Sequence, residues 1–140
     1  KSKTIVKGKK IVYLVFGTLL NTVLKLAKKN GATVIDMRFV KPIDETIIIS
    51  ICQTHEYIFT VEDNVILGGA GSAVNEVVHK NNIKANIINL GVPDNIVSHG
   101  SQNEIFADLG LDVHGLENQT NDHIKKMENL NNNRRNVKGK

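Results

Sequence analysis

The hydrophobic residues of this chain form short apolar runs that alternate with stretches of helical spacing. Four runs are rich in β-branched residues, and the first of them, Ile11–Phe16, lacks polar alternation, which is typical of a strand buried on both faces of a sheet. The predicted strands are Ile11–Phe16, Thr33–Asp36, residues 57–61 and residues 85–90, and the pattern leaves open an extension of the second strand to Phe39. Elsewhere apolar residues recur every three or four positions, which predicts helices. The predicted helices cover residues 19–30, 44–55, 72–81, 102–109 and 116–130.

The boundaries of these elements carry signals of their own. Asn30 and Gly31 follow the first helix, and a glycine there supplies the left-handed conformation that ends many helices. Asp44 and Glu45 suit the first turn of the next helix, where the helix dipole favours negative charge. Strands and helices that alternate with such short connections form right-handed βαβ units. The pattern therefore predicts an α/β fold with three layers, a mostly parallel sheet with helices on both faces. It leaves open whether an edge strand is antiparallel.

Positive charge is concentrated at the two ends of the chain. Residues 1–10 hold five lysines and residues 131–140 hold four basic residues, with no acid in either segment. Since the net charge is +4, residues 11–130 carry a net charge of −5. At 140 residues the chain has the size of one domain. We therefore expect a basic linker over residues 1–10, a folded domain over residues 11–130 and a disordered basic tail over residues 131–140.

This charge distribution bears on the partners of the chain. A module that binds nucleic acid needs its positive charge on a folded face, whereas here that charge lies in the predicted linker and tail. No apolar run approaches the roughly 20 residues that a membrane-spanning helix requires. We therefore expect neither a nucleic acid nor a membrane as a partner.

The residue types that bind metals or act as nucleophiles do not form a recognisable pattern. The five histidines lack the spacing of a metal site, and Cys52 is the single cysteine. Its apolar neighbours indicate an inert, buried thiol. The sequence therefore predicts no metal site and no cysteine nucleophile.

Two segments that follow predicted strands admit both a functional and a structural interpretation. Gly68, Gly69 and Gly71 precede a helix, as the glycines of a phosphate-binding loop do, but the acidic residues beside them would repel phosphate. Close packing of the helix start against the backbone of a second domain or subunit is favoured instead. Asp36 and Arg38 could clamp an anionic substrate or form an ion pair that holds the following turn, and the ion pair is favoured.

Three segments carry a more specific resemblance, namely IDMRFVKPIDE at 35–45, TVEDNVILGGAGSAVNE at 60–76 and INLGVPDNIVSHGSQNE at 88–104, followed by LGLD at 109–112. In this order and spacing they resemble the C-terminal domain of the 1-deoxy-D-xylulose-5-phosphate synthase family. The Asp-x-Arg-x-x-x-Pro-x-Asp element of the first segment is shared with transketolase-like C-terminal domains in general. The second and third segments narrow the resemblance to the synthases. It covers about residues 5–128.

The resemblance implies an enzyme that depends on thiamine diphosphate and magnesium and condenses pyruvate with glyceraldehyde 3-phosphate, for isoprenoid, thiamine and pyridoxal biosynthesis. In that family the catalytic and cofactor-binding groups belong to preceding domains, and the Gly-Asp-Gly element of the diphosphate site does not occur in this sequence. We therefore expect this chain to hold no catalytic, cofactor-binding or metal-binding residue. Alone, it should bind no cofactor and have no activity.

The resemblance also implies what the chain contacts. The expected partners are the missing upstream domains of the same enzyme, to which residues 1–10 would lead, and a second copy in a homodimer. The predicted interface follows the strands at one edge of the sheet and comprises Asp36, Arg38, Glu62, Asn64, Gly68, Gly69 and Gly71. The expected location is the bacterial cytoplasm, with a plastid-type organelle as the alternative. The alternative functions are another transketolase-like enzyme and a free-standing, non-catalytic binding module.

Overall fold

The computed structural model describes residues 1–8, 10–38, 42–65, 69–92 and 109–139. Within these ranges the strands are β1 (Lys3–Val6), β2 (Ile11–Phe16), β3 (Thr33–Asp36), β4 (Tyr57–Val65) and β5 (Ile87–Val92). The helices are α1 (Leu20–Asn30), α2 (Glu45–Thr54), α3 (Ala70–Lys80) and α4 (Val113–Lys138).

The strands form one sheet in the order β1-β3-β2-β4-β5. Strand β2 pairs in parallel with β3 and β4, and β4 pairs in parallel with β5. Helices α1, α2 and α3 each connect two parallel strands, as such crossovers require. Strand β1 pairs antiparallel with β3 at one edge, which answers the question that the sequence left open. The predicted α/β fold is confirmed.

Helices cover both faces of the sheet, because the strands are apolar on both sides. The core on the face of α1 and α4 includes Tyr13, Val23, Leu26, Phe59 and Leu116. The core on the face of α2 and α3 includes Leu14, Ile48, Ile58, Val74 and Val77. The neighbours Tyr13 and Leu14 therefore point to opposite faces, as the two-residue period of a strand requires.

A buried polar contact fixes α4 on its face of the sheet. The hydroxyl of Tyr13, on β2, lies 2.7 Å from Thr120 Oγ1 of α4 and accepts a hydrogen bond of 3.1 Å from Asn30 Nδ2 of α1. Burial raises the pKa of the Tyr13 hydroxyl, so it remains a neutral donor and acceptor. The contact satisfies a buried hydroxyl and joins three elements.

The helix ends that Gly31 and Asp44 signal are confirmed, whereas α3 begins at Ala70 rather than at residue 72 and α4 begins at Val113 rather than at residue 116. Gly31 ends α1 with φ +71°, and its N–H donates to Ala27 O at 2.8 Å. Asp44 caps α2, since its Oδ1 accepts from Ile47 N at 3.2 Å. Strand β4 runs four residues beyond its predicted end at residue 61. The helix predicted over 102–109 falls almost wholly outside the described residues.

The prediction of a linker over residues 1–10 is wrong where β1 forms. Lys3 pairs with Asp36 in the sheet, and Gly8 N donates a hydrogen bond of 2.7 Å to Thr33 Oγ1. The first residues therefore belong to the folded domain, and their five lysines balance its acidic residues. Residues 1–130 carry no net charge, so the folded part is neutral rather than acidic.

The prediction of a disordered tail over residues 131–140 is also wrong, because α4 continues to Lys138. The helix is held there by its own backbone, as in the hydrogen bond of 3.0 Å from Gly139 N to Arg135 O. From residue 128 to residue 139 every side chain is exposed, including the apolar Leu130 and Val137. This end of the helix therefore adds no side chain to the hydrophobic core.

Candidate functional site

Two of the predicted interface residues, Asp36 and Glu62, lie near the carboxyl edge of the parallel strands. Asp36, at the end of β3, is paired with Val15, and Glu62 of β4 is paired with Phe16. Since β2 lies between β3 and β4, the Asp36 and Glu62 backbones are about 10 Å apart, two strand spacings. This edge is where open α/β sheets most often bind ligands and partners.

Asp36 and Arg38 form a local pair at this edge. Arg38 N donates to Asp36 Oδ1 at 3.2 Å, and Arg38 Nε lies 3.8 Å from Asp36 Oδ2. Arg38 adopts φ +58°, a backbone conformation that is uncommon for a residue other than glycine. Its side chain is nevertheless 47% exposed, so the ion pair leaves part of the side chain accessible to another molecule.

Glu62 does not lie on the surface, as the prediction of an interface assumed. Its side chain is completely buried, and its Oε2 accepts a hydrogen bond of 2.6 Å from Ala70 N. Its Oε1 lies 3.5 Å from Gly71 N. The carboxylate therefore caps the first turn of α3 from inside the domain. Burial raises the pKa of Glu62, and the two backbone N–H groups oppose that shift.

The carboxylate of Glu62 also argues against a phosphate-binding site at the start of α3. An anion bound at the start of α3 would need the free N–H groups of the first helical turn. Two of them, those of Ala70 and Gly71, already donate to Glu62. The start of α3 therefore holds an internal anion, which agrees with the interpretation of these glycines as structural.

Gly71 packs tightly, but against its own domain rather than against a second one. An added Cβ would lie 2.7 Å from Thr60 Oγ1 and 2.8 Å from Asn89 Oδ1. These two side chains hydrogen-bond each other at 2.7 Å across β4 and β5. The glycine is therefore required for α3 to approach the sheet, and the prediction that it faces another subunit is wrong.

The structure describes only some of the remaining residues of the predicted interface. Gly69 is the N-terminal cap of α3, with φ −82° and ψ −168°, so it needs no conformation reserved for glycine. Asn64 lies within β4. Gly68 lies outside the described residues. Among the predicted residues, Arg38 is thus the exposed charged group.

Asp63 has a structural role that the sequence analysis did not identify. Its Oδ2 accepts hydrogen bonds from Thr18 N at 3.0 Å and Thr18 Oγ1 at 2.6 Å, which joins the ends of β2 and β4. Gly17 has φ +91°, and a Cβ there would contact Asp63. The Gly-Thr turn after β2 was visible in the sequence, but nothing there paired it with a residue 45 positions later.

The described residues offer no assembled catalytic or metal centre. No group of three or more histidine, cysteine or acidic side chains is arranged to hold a metal ion among them. The thiol of Cys52 is half-buried, and burial raises its pKa, which makes it a poor nucleophile. In the same part of the chain, no helix has the length and apolar character needed to cross a membrane.

Comparison with known proteins agrees with this geometry. A family model described as transketolase, C-terminal domain, matches residues 1–116 and thus includes β1. The 1-deoxy-D-xylulose-5-phosphate synthase of Idiomarina loihiensis is 48% identical over 126 residues, which cover 90% of this chain and 20% of that protein. The synthase of Haemophilus influenzae is 49% identical over 93% of this chain and 21% of that protein. The synthase of Pasteurella multocida is 55% identical over 85% of this chain and 19% of that protein.

The chain thus spans about a fifth of the length of these curated relatives. A solved structure described as "Split gene transketolase, inactive beta4 tetramer" matches 84% of this chain and 40% of its own, with a TM-score of 0.77 and 24% identity. This likeness supports the fold. With the family model matching most of the residues, the chain belongs to the family of transketolase C-terminal domains.

Proposed function

We propose that this chain is the C-terminal domain of a 1-deoxy-D-xylulose-5-phosphate synthase. The full-length enzyme would use thiamine diphosphate and magnesium to condense pyruvate with glyceraldehyde 3-phosphate, in the cytoplasm of a bacterium. The observation that carries the proposal is the identity of 48–55% with three synthases over most of this chain. Fold alone would support only the superfamily, since one fold serves many activities.

Within that enzyme the domain contributes stability and contacts rather than catalytic groups. Its polar residues at the carboxyl edge serve the domain itself, because Glu62 caps α3 and Asp63 holds the turn after β2. The exposed Arg38 is the group at this edge that suits a partner. The partners would be the upstream domains of the same enzyme and a second copy in a homodimer.

Calorimetric titration of the isolated chain with thiamine diphosphate and magnesium tests the catalytic part of this proposal. We expect no saturable heat, because the described residues include no group that could hold a metal ion and the sequence lacks the Gly-Asp-Gly element of the diphosphate site. The same titration of the full-length enzyme should give saturable binding, and that enzyme should form 1-deoxy-D-xylulose 5-phosphate. Saturable micromolar binding by the isolated chain would contradict a purely supporting role.

The contact part of the proposal predicts a specific effect of Arg38→Ala. In the full-length enzyme this change should weaken domain docking or dimerisation and lower activity, because a desolvated inter-domain arginine pair can be worth several kcal/mol, about 3–5. In the isolated chain the change should cost only about 0–1 kcal/mol, since its pair with Asp36 is exposed to solvent. Sedimentation of the full-length variant and thermal melting of the isolated one measure the two effects.

Lys29→Ala is the matched control for Arg38→Ala. Lys29 forms an exposed ion pair of 3.3 Å with Glu117, between α1 and α4 and away from the carboxyl edge. We expect it to leave assembly and activity unchanged. If Arg38→Ala lowers the melting temperature of the isolated chain substantially while assembly stays intact, Arg38 serves the domain itself and the interface is elsewhere.

A further inference from the structure

A second surface feature of the domain is an open groove between α3 and the segment that leads into α2. It has a volume of about 600 Å³. Its lining is Pro42, Ile43, Glu45, Ala73, Glu76, Val77 and Lys80. The lining residues of α3 recur at intervals of three and four, so they share one face of the helix. The groove therefore runs between this face and the segment that leads into α2.

The groove combines an apolar floor with an unbalanced charged rim. Ile43, Ala73 and Val77 supply the apolar surface. Lys80 Nζ lies 3.4 Å from Glu45 Oε1, so these two charges are paired. Glu76 is exposed and makes no hydrogen bond or ion pair with the described residues. Among the described lining residues, the groove thus carries one uncompensated negative charge beside an apolar floor.

We propose that this groove receives a segment of the full-length synthase that lies outside these 140 residues and presents an apolar side chain with a basic one beside it. The apolar side chain would cover the floor, and the basic one would pair with Glu76. The inference rests on the proposed function, which makes this chain about a fifth of a longer enzyme. It adds a docking surface whose lining does not include Arg38.

The position of the first residues supports an occupant from the same polypeptide. Ser2 Oγ donates a hydrogen bond of 2.7 Å to Asp44 Oδ2, and Asp44 stands between the groove residues Ile43 and Glu45 in sequence. Lys1 and Ser2 line a separate pocket together with Asp44, so polypeptide joined to residue 1 in the full-length synthase would start beside the first turn of α2, whose Glu45 also lines the groove. Tethering at this distance raises the effective concentration of such a segment, so few contacts are needed to dock it.

Charge argues against a second copy of this domain as the occupant. A twofold contact through the same groove would be self-complementary, so Glu76 of each copy would approach the negatively charged groove of the other. Like charges brought together at an interface oppose association. A segment that carries positive charge meets no such repulsion.

Thiol labelling can test the occupant directly. Ala73→Cys puts a reactive group in the groove, and Asn75→Cys puts one on an exposed position of the same helix outside it. Both are made in a Cys52→Ala background, in the 140-residue chain and in the full-length enzyme, with labelled sites identified by peptide mass spectrometry. We expect maleimide to label position 73 at least about tenfold more slowly in the full-length enzyme than in the isolated chain. Position 75 should react equally fast in both.

The other outcomes overturn the proposal in distinguishable ways. Equal rates at position 73 in both proteins would mean that the groove stays open. Protection of position 73 in the isolated chain at high concentration alone would identify a second copy as the occupant. A Glu76→Lys variant of the full-length enzyme should restore fast labelling at position 73. Unchanged protection would mean that no basic side chain of the occupant pairs with Glu76. Activity of the unmodified full-length enzyme tests the proposed function separately, since its absence would not alter the labelling rates.

Discussion

Replacing Gly71 with valine is expected to lower the free energy of unfolding by about 3–5 kcal/mol, because overpacking and the loss of the partly buried hydrogen bond between Thr60 and Asn89 add together. A Cβ at this position would lie within 3 Å of both Thr60 and Asn89, and both side chains are engaged with each other. The better helix propensity of the new residue offsets at most about 1 kcal/mol. The steric effect therefore dominates, and α3 must move away from the sheet.

A double-mutant cycle tests whether contact of the new side chain with Asn89 causes the loss of stability. Gly71→Ala alone should cost about 1–3 kcal/mol in denaturant unfolding, and Asn89→Ala should remove two of the three atoms nearest to the new methyl group, together with the acceptor that holds the Thr60 hydroxyl there. The double variant should then be more stable than the sum of the two losses predicts. Gly139→Ala, where an added Cβ meets nothing closer than 3.4 Å, serves as the control and should change little. Strict additivity of Gly71→Ala and Asn89→Ala would mean that the helix start is not in close contact with β5.

The parts of the fold that could be predicted from sequence are those whose signal is local. The run Ile11–Phe16 matches β2 because a strand buried on both faces needs no polar residue. Asp44 and Gly31 marked helix ends because the capping groups lie within three or four residues of the N–H or C=O that they satisfy. None of these inferences required knowledge of a partner element.

The parts that were missed depend on partners far away in the sequence. Strand β1 is a short edge strand of mixed polarity, and it forms because β3, about 30 residues later, offers an unpaired edge. The end of α4 continues as an exposed helix of asparagine and basic residues. These residues have no apolar periodicity from which a helix could be predicted. At the candidate site, acidic residues after a strand suggested a surface patch. The burial of Glu62 follows from N–H groups eight and nine residues later.

Replacing Glu62 with alanine is the second change for which we expect a large effect. The variant would leave the N–H groups of Ala70 and Gly71 inside the domain without acceptors and would open a cavity beneath α3. Each unsatisfied buried group costs about 1–3 kcal/mol, and loss of a helix cap costs about 1 kcal/mol. Because the buried carboxylate is itself costly, we expect a net loss of about 2–4 kcal/mol in urea unfolding at neutral pH. A loss below about 0.5 kcal/mol, the scale of an ordinary surface substitution, would contradict the capping role.

Glu62→Gln separates the charge of this side chain from its hydrogen bonding, and the sign of its pH dependence is defined. Burial, the largest influence, raises the pKa of Glu62 above its ordinary 4.5, so the folded state holds the proton more tightly than the unfolded state. The wild type is therefore most stable relative to the glutamine variant below pH 4.5. It loses that advantage as the pH rises through the raised pKa. Glutamine keeps one acceptor for Ala70 N and has no charge to desolvate.

Asp44→Asn is the matched control, because Asp44 also caps a helix but its pKa is shifted in the opposite direction. The Ser2 hydroxyl, which donates to this carboxylate, lowers its pKa below the ordinary 3.8. The wild type should therefore hold its advantage over Asp44→Asn at neutral pH and lose it as the pH falls below about 3.8 toward the lowered pKa. Urea unfolding of the wild type and both variants at several pH values between about 3 and 8 should give two stability differences that change in opposite directions with pH. If both differences change in the same direction, the carboxylate of Glu62 is not held in the buried position beneath α3.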